Sequence, residues 1–373
     1  MTSKRIYFAD ITHTAQGISA ATFPLGVSYV MSYAKQQLGA EMDSRLFKFP
    51  AHLDAALLED WPDMLCFSNY SWNFELAYKI ASLSKGRDPN LVIVFGGPNF
   101  PTLPEEKRKF LRNRPAIDFY VELEGELGLV DLIQGLEKYG FNPSVFKAAR
   151  ETVLNTCYLL DGELVSGPVK RIQDLEDIPS PYLTGILDPF FDLPLVPMLE
   201  TTRGCPFSCT FCADGLVSKN KVYRYSAERT RDELAYIATR VKDVNELILT
   251  DLNFAMYKED LDTAKAIAEI QRTYHYPTMV SASAGKNKPH RTIEAASIMD
   301  GWTLGASIQS TDPEVLKAIK RTNISSSAYQ ELVDYGNSLK NGKTNSEIIL
   351  GLPGDSKEKH FESLRFGIEN NVN

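Results

Sequence analysis

The sequence predicts an α/β protein: a doubly wound parallel sheet in the N-terminal part, then a parallel β/α barrel in which five strands can be traced. Three observations carry this. Continuously apolar, β-branched segments alternate with segments of helical spacing in the first half. A stretch holding Pro179, Pro181, Pro189 and Pro194 interrupts the pattern. Strand–helix units then resume, and their strands end on polar residues. At about 150 residues per domain, 373 residues make room for roughly two and a half domains.

In order, Ile6–Ala9 is a short strand and 24–38 has helical spacing through Leu25, Tyr29 and Ala34. Asp63–Phe67 is a buried strand ending in the polar loop Ser68-Asn69-Tyr70-Ser71, with a helix over 74–85. Leu91–Phe95 is the clearest strand and ends in Gly96-Gly97-Pro98; Ile117–Val121 and a helix over Glu126–Leu136 follow. Ligands of such sheets sit beyond the carboxyl ends of the strands. Those ends carry Asp10–Gly17, Ser68–Ser71, Gly96–Pro98 and Glu124-Gly125-Glu126. The glycines either let the backbone approach a large flat ligand or simply make tight turns. Alternating residues over 152–169 around Asp161-Gly162 predict a hairpin. The expected division is a first domain over 1–148, a connector with the hairpin over 149–193, and a second domain over 194–373.

In the second domain, Leu195–Thr202 is strand-like. Later strands are expected at 246–250, ending in Asp251-Leu252-Asn253-Phe254, at 278–282, ending at Ser283, at 301–308, ending at Gln309, and at 347–350, ending in Gly351-Leu352-Pro353-Gly354-Asp355. Helices are expected at 226–240, 258–272, 290–299, 312–319, 326–339 and 356–370.

Charged residues are 24% and apolar ones 43%, which sets aside disordered, collagen-like and fibrous readings. Forty basic against forty-eight acidic side chains, a net charge of −8, make nucleic acid an unexpected partner. No apolar run approaches the roughly 18–20 residues of a membrane helix, and the charged N-terminus lacks a signal peptide's apolar core. A cytoplasmic protein without membrane association is expected. Five cysteines do not make a disulfide scaffold. Cys66 and Cys157 stand alone, whereas Cys205, Cys209 and Cys212 form Cys-x3-Cys-x2-Cys directly after the first barrel strand. Soft thiolates so spaced suit an iron–sulfur cluster or zinc. Structural zinc normally takes four ligands, but there is no second cysteine pair, and His13, His52, His275, His290 and His360 show no paired spacing. Three thiolates on a [4Fe–4S] cluster leave one iron open to a small molecule, which favours catalysis over pure electron transfer.

Arg203-Gly204-Cys205 through Cys209, Phe211 and Cys212 resembles the cluster loop of the radical S-adenosylmethionine (SAM) superfamily. The resemblance implies a partial (β/α)6 barrel, a [4Fe–4S] cluster on the three cysteines, and SAM as cofactor with Phe211 among its contacts. It places Asp251 and Asn253 at the SAM amino group, Ser283 at the third strand's end, Ser307 or Gln309 at the ribose, and Ile349, Gly351 and Leu352 beside adenine. From the residues alone, Asp251 is equally a helix cap and Gln309 a buried hydrogen bond. Phe23-Pro24-Leu25-Gly26, Gly96-Gly97-Pro98, Asp118–Glu126 and Asp174–Pro179 resemble the cobalamin-binding class of these enzymes, whose first domain is Rossmann-like. That likeness puts Ser68, Asn69, Tyr70, Gly96, Gly97, Pro98, Gly125 and Glu126 around cobalamin (vitamin B12). Carriers that ligate cobalt use Asp-x-His-x-x-Gly; here Asp10, His13 and Gly17 have a different spacing, so cobalt is expected without a protein imidazole. A methylthiotransferase would need further cluster cysteines in the first domain, which holds only Cys66.

What the resemblance implies is SAM cleavage to a 5′-deoxyadenosyl radical and cobalamin-dependent methyl transfer to an unactivated carbon of a small molecule or peptide. A flavodoxin or ferredoxin would donate electrons. A rearrangement or cyclisation without methyl transfer, or a non-catalytic cluster or cobalamin sensor, are the alternatives. Five barrel strands instead of six, with the chain stopping at Phe366–Asn373, lead to the expectation of a fragment lacking the last strand and any C-terminal domain, with an exposed edge on strand five.

Overall fold

Each parallel strand of the N-terminal half is an apolar run buried on both faces, so a helix must carry the chain back across the sheet after each one. The computed structural model describes residues 3–285, 287–305, 307–339 and 344–372. Two compact units make up the chain, Met1–Leu193 and Pro194–Asn373.

The first unit runs β1 (Lys4–Ala9), α1 (Leu25–Leu38), β2 (Met42–Phe47), α2 (Pro50–Glu59), β3 (Met64–Ser68), α3 (Phe74–Arg87), β4 (Val92–Gly96), α4 (Pro104–Arg112), β5 (Phe119–Val121), α5 (Gly125–Glu137), α6 (Pro143–Ala148), β6 (Thr156–Leu160) and β7 (Glu163–Ser166). The sheet order is β2-β1-β3-β4-β5-β6-β7, with β1 to β5 parallel and β6 and β7 antiparallel. On one face Ile6 and Phe8 pack with Met31 and Ala34 of α1 and Leu132 and Ile133 of α5. On the other, Tyr7 and Ala9 pack with Leu53 of α2, Ala77 of α3 and Leu111 of α4. This is the doubly wound arrangement, and its strand order reverses between β1 and β3, the place where such sheets open a crevice.

Three departures from the sequence reading have physical causes. The sequence does not announce β2, whose Met-Asp-Ser-Arg-Leu-Phe exposes Asp43 and Arg45, as suits an edge strand solvated along one side. Nor does it announce α4, where only Leu111 is buried among charged neighbours. The hairpin expected in the connector instead extends the sheet, because Tyr120 of β5 pairs with Cys157 of β6. Its Asp161-Gly162 turn has φ of 50° and 80°, the pair of positive values a two-residue hairpin loop requires.

The second unit runs β8 (Met198–Leu199), β9 (Thr202–Arg203), β10 (Tyr223–Arg224), α7 (Ala227–Ala238), β11 (Glu246–Phe254), α8 (Asp260–Tyr274), β12 (Met279–Ala284), α9 (Pro289–Ile298), β13 (Leu304–Gly305), α10 (Pro313–Ala318), α11 (Ser326–Ser338), β14 (Thr344–Asn345) and α12 (Lys357–Glu369). Strand β11 pairs in parallel with β8 on one side and β12 on the other. A parallel bridge from Val280 to Trp302 continues the arc to β13, which pairs in parallel with β14. The arc therefore follows chain order, as in a β/α barrel. The strand expected over 301–308 is cut to Leu304–Gly305, and the one expected over 347–350 does not form: β14 lies ahead of it at Thr344–Asn345, and of 347–350 only Ile348 makes a β-bridge. Gln309 adopts φ of 61°, which breaks the extended backbone, and among the described residues beyond β13 and β14 only the bridge from Gln309 to Ile348 continues the pairing. No helix among the described residues is long and apolar enough to cross a membrane.

Gly128 fixes how closely α5 lies on the sheet. A Cβ there would sit 2.6 Å from Val121 Cγ1 and 3.1 Å from the Leu154 carbonyl oxygen. Gly128→Ala gains about 1 kcal/mol of helix propensity and loses about 1–3 kcal/mol to overpacking. Denaturant unfolding is expected to show a net loss; a stabilised variant would refute the close approach.

Candidate active site

The cysteine loop is closed at its base by the antiparallel pair β9–β10, so residues 204–222 leave and return at one place. Gly204 starts it with φ of 111°, and a Cβ there would lie 2.3 Å from the Lys221 carbonyl oxygen. The Cys205 N–H donates to the Lys219 carbonyl at 3.0 Å, the Cys212 N–H to that of Cys209 at 3.2 Å, and the Gly215 N–H to that of Cys212 at 3.1 Å. A Cβ at Gly215 would lie 2.1 Å from the Cys209 carbonyl oxygen, so this glycine lets the loop fold back on itself. Cys205 and Cys209 are buried, Cys212 is half-buried and Phe211 is exposed. The Thr210 N–H donates to the Ile319 carbonyl at 3.1 Å, tying the loop to the end of α10. No three His, Cys, Asp or Glu side chains among the described residues are gathered closely enough to hold a metal ion. The motif is thus three thiols on one closed loop, not a formed ligand sphere.

Asp251, on β11, is fully engaged. It accepts from the Thr201 N–H at 2.7 Å, the Thr202 N–H at 2.9 Å and the Thr201 hydroxyl. Both oxygens hold the segment entering the cysteine loop. Burial pushes its pKa up to about 6, opposed by those hydrogen bonds. Asn253, two residues on, is 6% exposed; its Nδ2 donates to Cys205 Sγ at 3.3 Å, and its Oδ1 is buried without a hydrogen-bond partner.

Ser307 and Gln309 meet at Glu347, which the sequence does not single out. Ser307 Oγ donates to Glu347 Oε2 at 2.8 Å and Gln309 Nε2 to the same oxygen at 3.2 Å. Gln309 is 5% exposed and its Oε1 is buried without a partner. Arg321, also unforeseen, donates to the Ser307 carbonyl and hydrogen-bonds Cys209. No local spacing marks either residue; only the fold brings them to the loop. Ser283 is exposed on β12 and Gly351 is exposed in a turn with φ of 78°. Leu352 and Ile349 pack with Val315 and Ile319 in a small core, and so face the unit's own side chains.

In the first unit, Asp10 beyond β1 accepts from Lys48 Nζ at 2.8 Å, Ser68 Oγ at 2.5 Å and Asn73 Nδ2 at 3.2 Å. Asn69 is fully buried and donates to the Asn99 carbonyl at 2.7 Å and Tyr120 Oη at 2.9 Å. A Cβ at Gly97, where φ is 121°, would lie 2.8 Å from the Asn69 carbonyl oxygen, and one at Gly125 would lie 2.8 Å from Val30 Cγ2. Those glycines serve packing within the unit. Glu126 is buried and Gly96 half-buried, while Gly97 and Pro98 are exposed. Tyr70 stacks on the half-exposed Trp72, with ring centroids 4.6 Å apart and planes 9° apart. His13 is exposed.

Doubly wound sheet and parallel arc, the latter with three thiols on the loop after its first strand, define an iron–sulfur type of α/β protein with a second ligand-binding domain. Family models agree: that of the B12 binding domain matches residues 17–133 and that of the radical SAM superfamily residues 199–367. The chain belongs to the radical SAM superfamily, in the class that carries a B12 binding domain ahead of the radical SAM domain. It is 31% identical, over 98% of its length, to 2-(S-pantetheinyl)-carbapenam-3-carboxylate methyltransferase of Streptantibioticus cattleyicolor, and covers 52% of that protein. It is 33% identical, with the same two coverages, to the cobalamin-dependent radical SAM methyltransferase TokK of Streptomyces tokunonensis. Among solved structures it resembles the cobalamin-dependent SAM radical enzyme OxsB, with a TM-score of 0.71 at 18% identity, over 98% of this chain and 52% of that one. The chain spans about half the length of the curated relatives named here.

The cofactors of the two domains are a [4Fe–4S] cluster with SAM and cobalamin. The residues present fit them. Three thiols spaced closely in the sequence and carried on one closed loop are the donor set of an iron–sulfur cluster with one open iron. Asn253 Oδ1 and Gln309 Oε1 are buried acceptors that lack a donor, and SAM carries ammonium and hydroxyl donors that would satisfy them. An uncharged rim of exposed Gly97, Pro98 and Trp72 with the half-buried Tyr70 borders the switch point, as a flat ligand requires.

Asp251→Ala leaves the buried N–H groups of Thr201 and Thr202 without an acceptor, at a cost of about 1–3 kcal/mol in denaturant unfolding at pH 7. Between the ordinary value of 3.8 and about 6, the folded chain keeps a proton on Asp251 that the unfolded chain has released. Stability from this group therefore falls as pH rises through that window and is level above it. The stability gap between parent and variant should be wider at pH 5 than at pH 7; equal gaps would show that Asp251 does not titrate there.

Proposed function

We propose that this chain is the cofactor-bearing part of a cobalamin-dependent radical SAM methyltransferase, acting on an unactivated carbon of a small molecule or peptide. The observation that carries the reading is the union, in one chain, of a B12 binding domain with a radical SAM domain whose three-cysteine loop is closed and whose Asn253 and Gln309 present unpartnered acceptors. When bound, the cluster supplies the electron that cleaves SAM to the 5′-deoxyadenosyl radical, and cobalamin supplies the methyl group. Cys205, Cys209 and Cys212 hold the cluster. Asn253 accepts from the SAM ammonium, and Gln309 with Ser307 and Glu347 orients the ribose. Asp251 fixes the entry of the loop. Tyr70, Gly96, Gly97 and Pro98 form the rim for the corrin, and His13 does not serve as a cobalt ligand. The low-potential electron comes from a flavodoxin or ferredoxin. Five free cysteines and a cluster loop suit the reducing cytoplasm.

The test is anaerobic reconstitution with iron, sulfide and cobalamin, followed by SAM and a strong reductant. A pantetheinyl carbapenam, the class named for one relative, is the first substrate to offer. Formation of 5′-deoxyadenosine and a methylated product is expected. A fully loaded protein that yields neither 5′-deoxyadenosine nor S-adenosylhomocysteine would overturn the reading. Cys209→Ala should abolish the brown cluster absorption and leave cobalamin retention intact; survival of the chromophore would remove Cys209 from the ligand set.

A further inference from the structure

Two of the three loop sulfurs accept an N–H hydrogen bond and the third lies beside a guanidinium, and these groups come from three separate parts of the unit. Asn253 Nδ2, on β11, donates to Cys205 Sγ at 3.3 Å. The Asp214 backbone N–H donates to Cys212 Sγ at 3.5 Å. The Arg321 guanidinium, from the turn after α10, hydrogen-bonds Cys209 and is within electrostatic reach of Cys212. Arg321 is 7% exposed and firmly held. Its Nε donates to Asn323 Oδ1 at 2.9 Å and its Nη2 to the Ser307 carbonyl. The contact from Thr210 to Ile319 keeps that turn against the loop. A guanidinium stays charged even where it is buried. The neighbouring Glu347 is exposed, so water screens its opposing charge.

Reduction adds one negative charge to an iron–sulfur cluster. A cation and N–H donors aimed at the cysteine sulfurs stabilise the reduced form more than the oxidised one, and hydrogen bonds to sulfur are among the factors that set cluster potentials. We propose that Arg321 and Asn253 are positioning residues that raise the reduction potential of the cluster on Cys205, Cys209 and Cys212, bringing it within reach of its electron donor. Arg321 supplies the larger share, because it carries charge and Asn253 only a dipole. The inference rests on the cluster reading of the loop and adds to it the residues that tune the cluster.

The experiment takes whole-chain parent, Arg321→Gln, Arg321→Lys and Asn253→Leu proteins, reconstituted anaerobically with iron and sulfide and without SAM or cobalamin. Iron and sulfide contents are measured, and the cluster is titrated by potentiometry with electron paramagnetic resonance detection. Arg321→Gln is expected to lower the reduced-to-oxidised ratio at a fixed potential about tenfold, a midpoint drop of about 59 mV for one electron. Asn253→Leu moves the midpoint the same way by less, and Arg321→Lys stays near the parent. Arg321→Gln and Asn253→Leu proteins with parental iron, parental sulfide and parental midpoints would overturn the proposal. Should Arg321→Gln fail to hold iron, Asn323→Ala keeps the guanidinium in the chain but removes the acceptor at its Nε. A lowered midpoint there supports the proposal, and unmoved midpoints in Asn323→Ala and Asn253→Leu overturn it. A parent protein that takes up no cluster defeats the cluster reading itself, a result distinct from unmoved midpoints.

Discussion

One buried carboxylate determines where the cysteine loop begins. Asp251 gathers two backbone N–H groups and a hydroxyl from Thr201 and Thr202, immediately ahead of Gly204 and Cys205. Hydrogen bonds to a charged acceptor are strong in a dry interior, and burial opposes them by disfavouring the charge, as the pKa near 6 records. Thr201 in turn accepts the Tyr225 N–H at 3.1 Å, so both arms of the loop hang from the same point. The positions of the three thiols, and of the donors around them, follow from that anchorage.

The first unit solves a similar problem with a buried ion pair. Asp10 and Lys48 lie at the switch point, and Ser68 and Asn73 complete the carboxylate's hydrogen bonds. Desolvating both charges costs several kcal/mol per ion, which is tolerable only because the network is satisfied. What the network secures is geometry: the loops after β1 and β3 are held together beneath the rim. Ser68 and Asn69 are therefore struts of the crevice, and the open positions are Trp72, Gly97 and Pro98.

The elements legible in the sequence are those whose pattern is local. Continuous apolar runs mark β3 and β4, and helical periodicity marks α1, α3 and α5. The edge strand β2 and the charged helix α4 bury too little to leave such a trace. In the second unit apolar residues overstate β13, because the backbone turns at Gln309, and they mislead over 347–350, where the strand lies instead at Thr344–Asn345. Chemistry was legible where spacing carries it, in Cys205, Cys209 and Cys212. Asp251 was legible as a position at a strand end; its partners, fifty residues earlier, were not. Arg321 and Glu347 are separated from the cysteines by over a hundred residues and carry no motif of their own, so only folding brings them near.

Cys66 and Cys157 lie inside strands on opposite faces of the first sheet, and burial pushes both thiols up. Thiolate is the form that reacts with oxidants, alkylating agents and iron, so these two are chemically silent while the unit is folded. The chain's thiol chemistry is thereby confined to one loop whose backbone closes through its own hydrogen bonds.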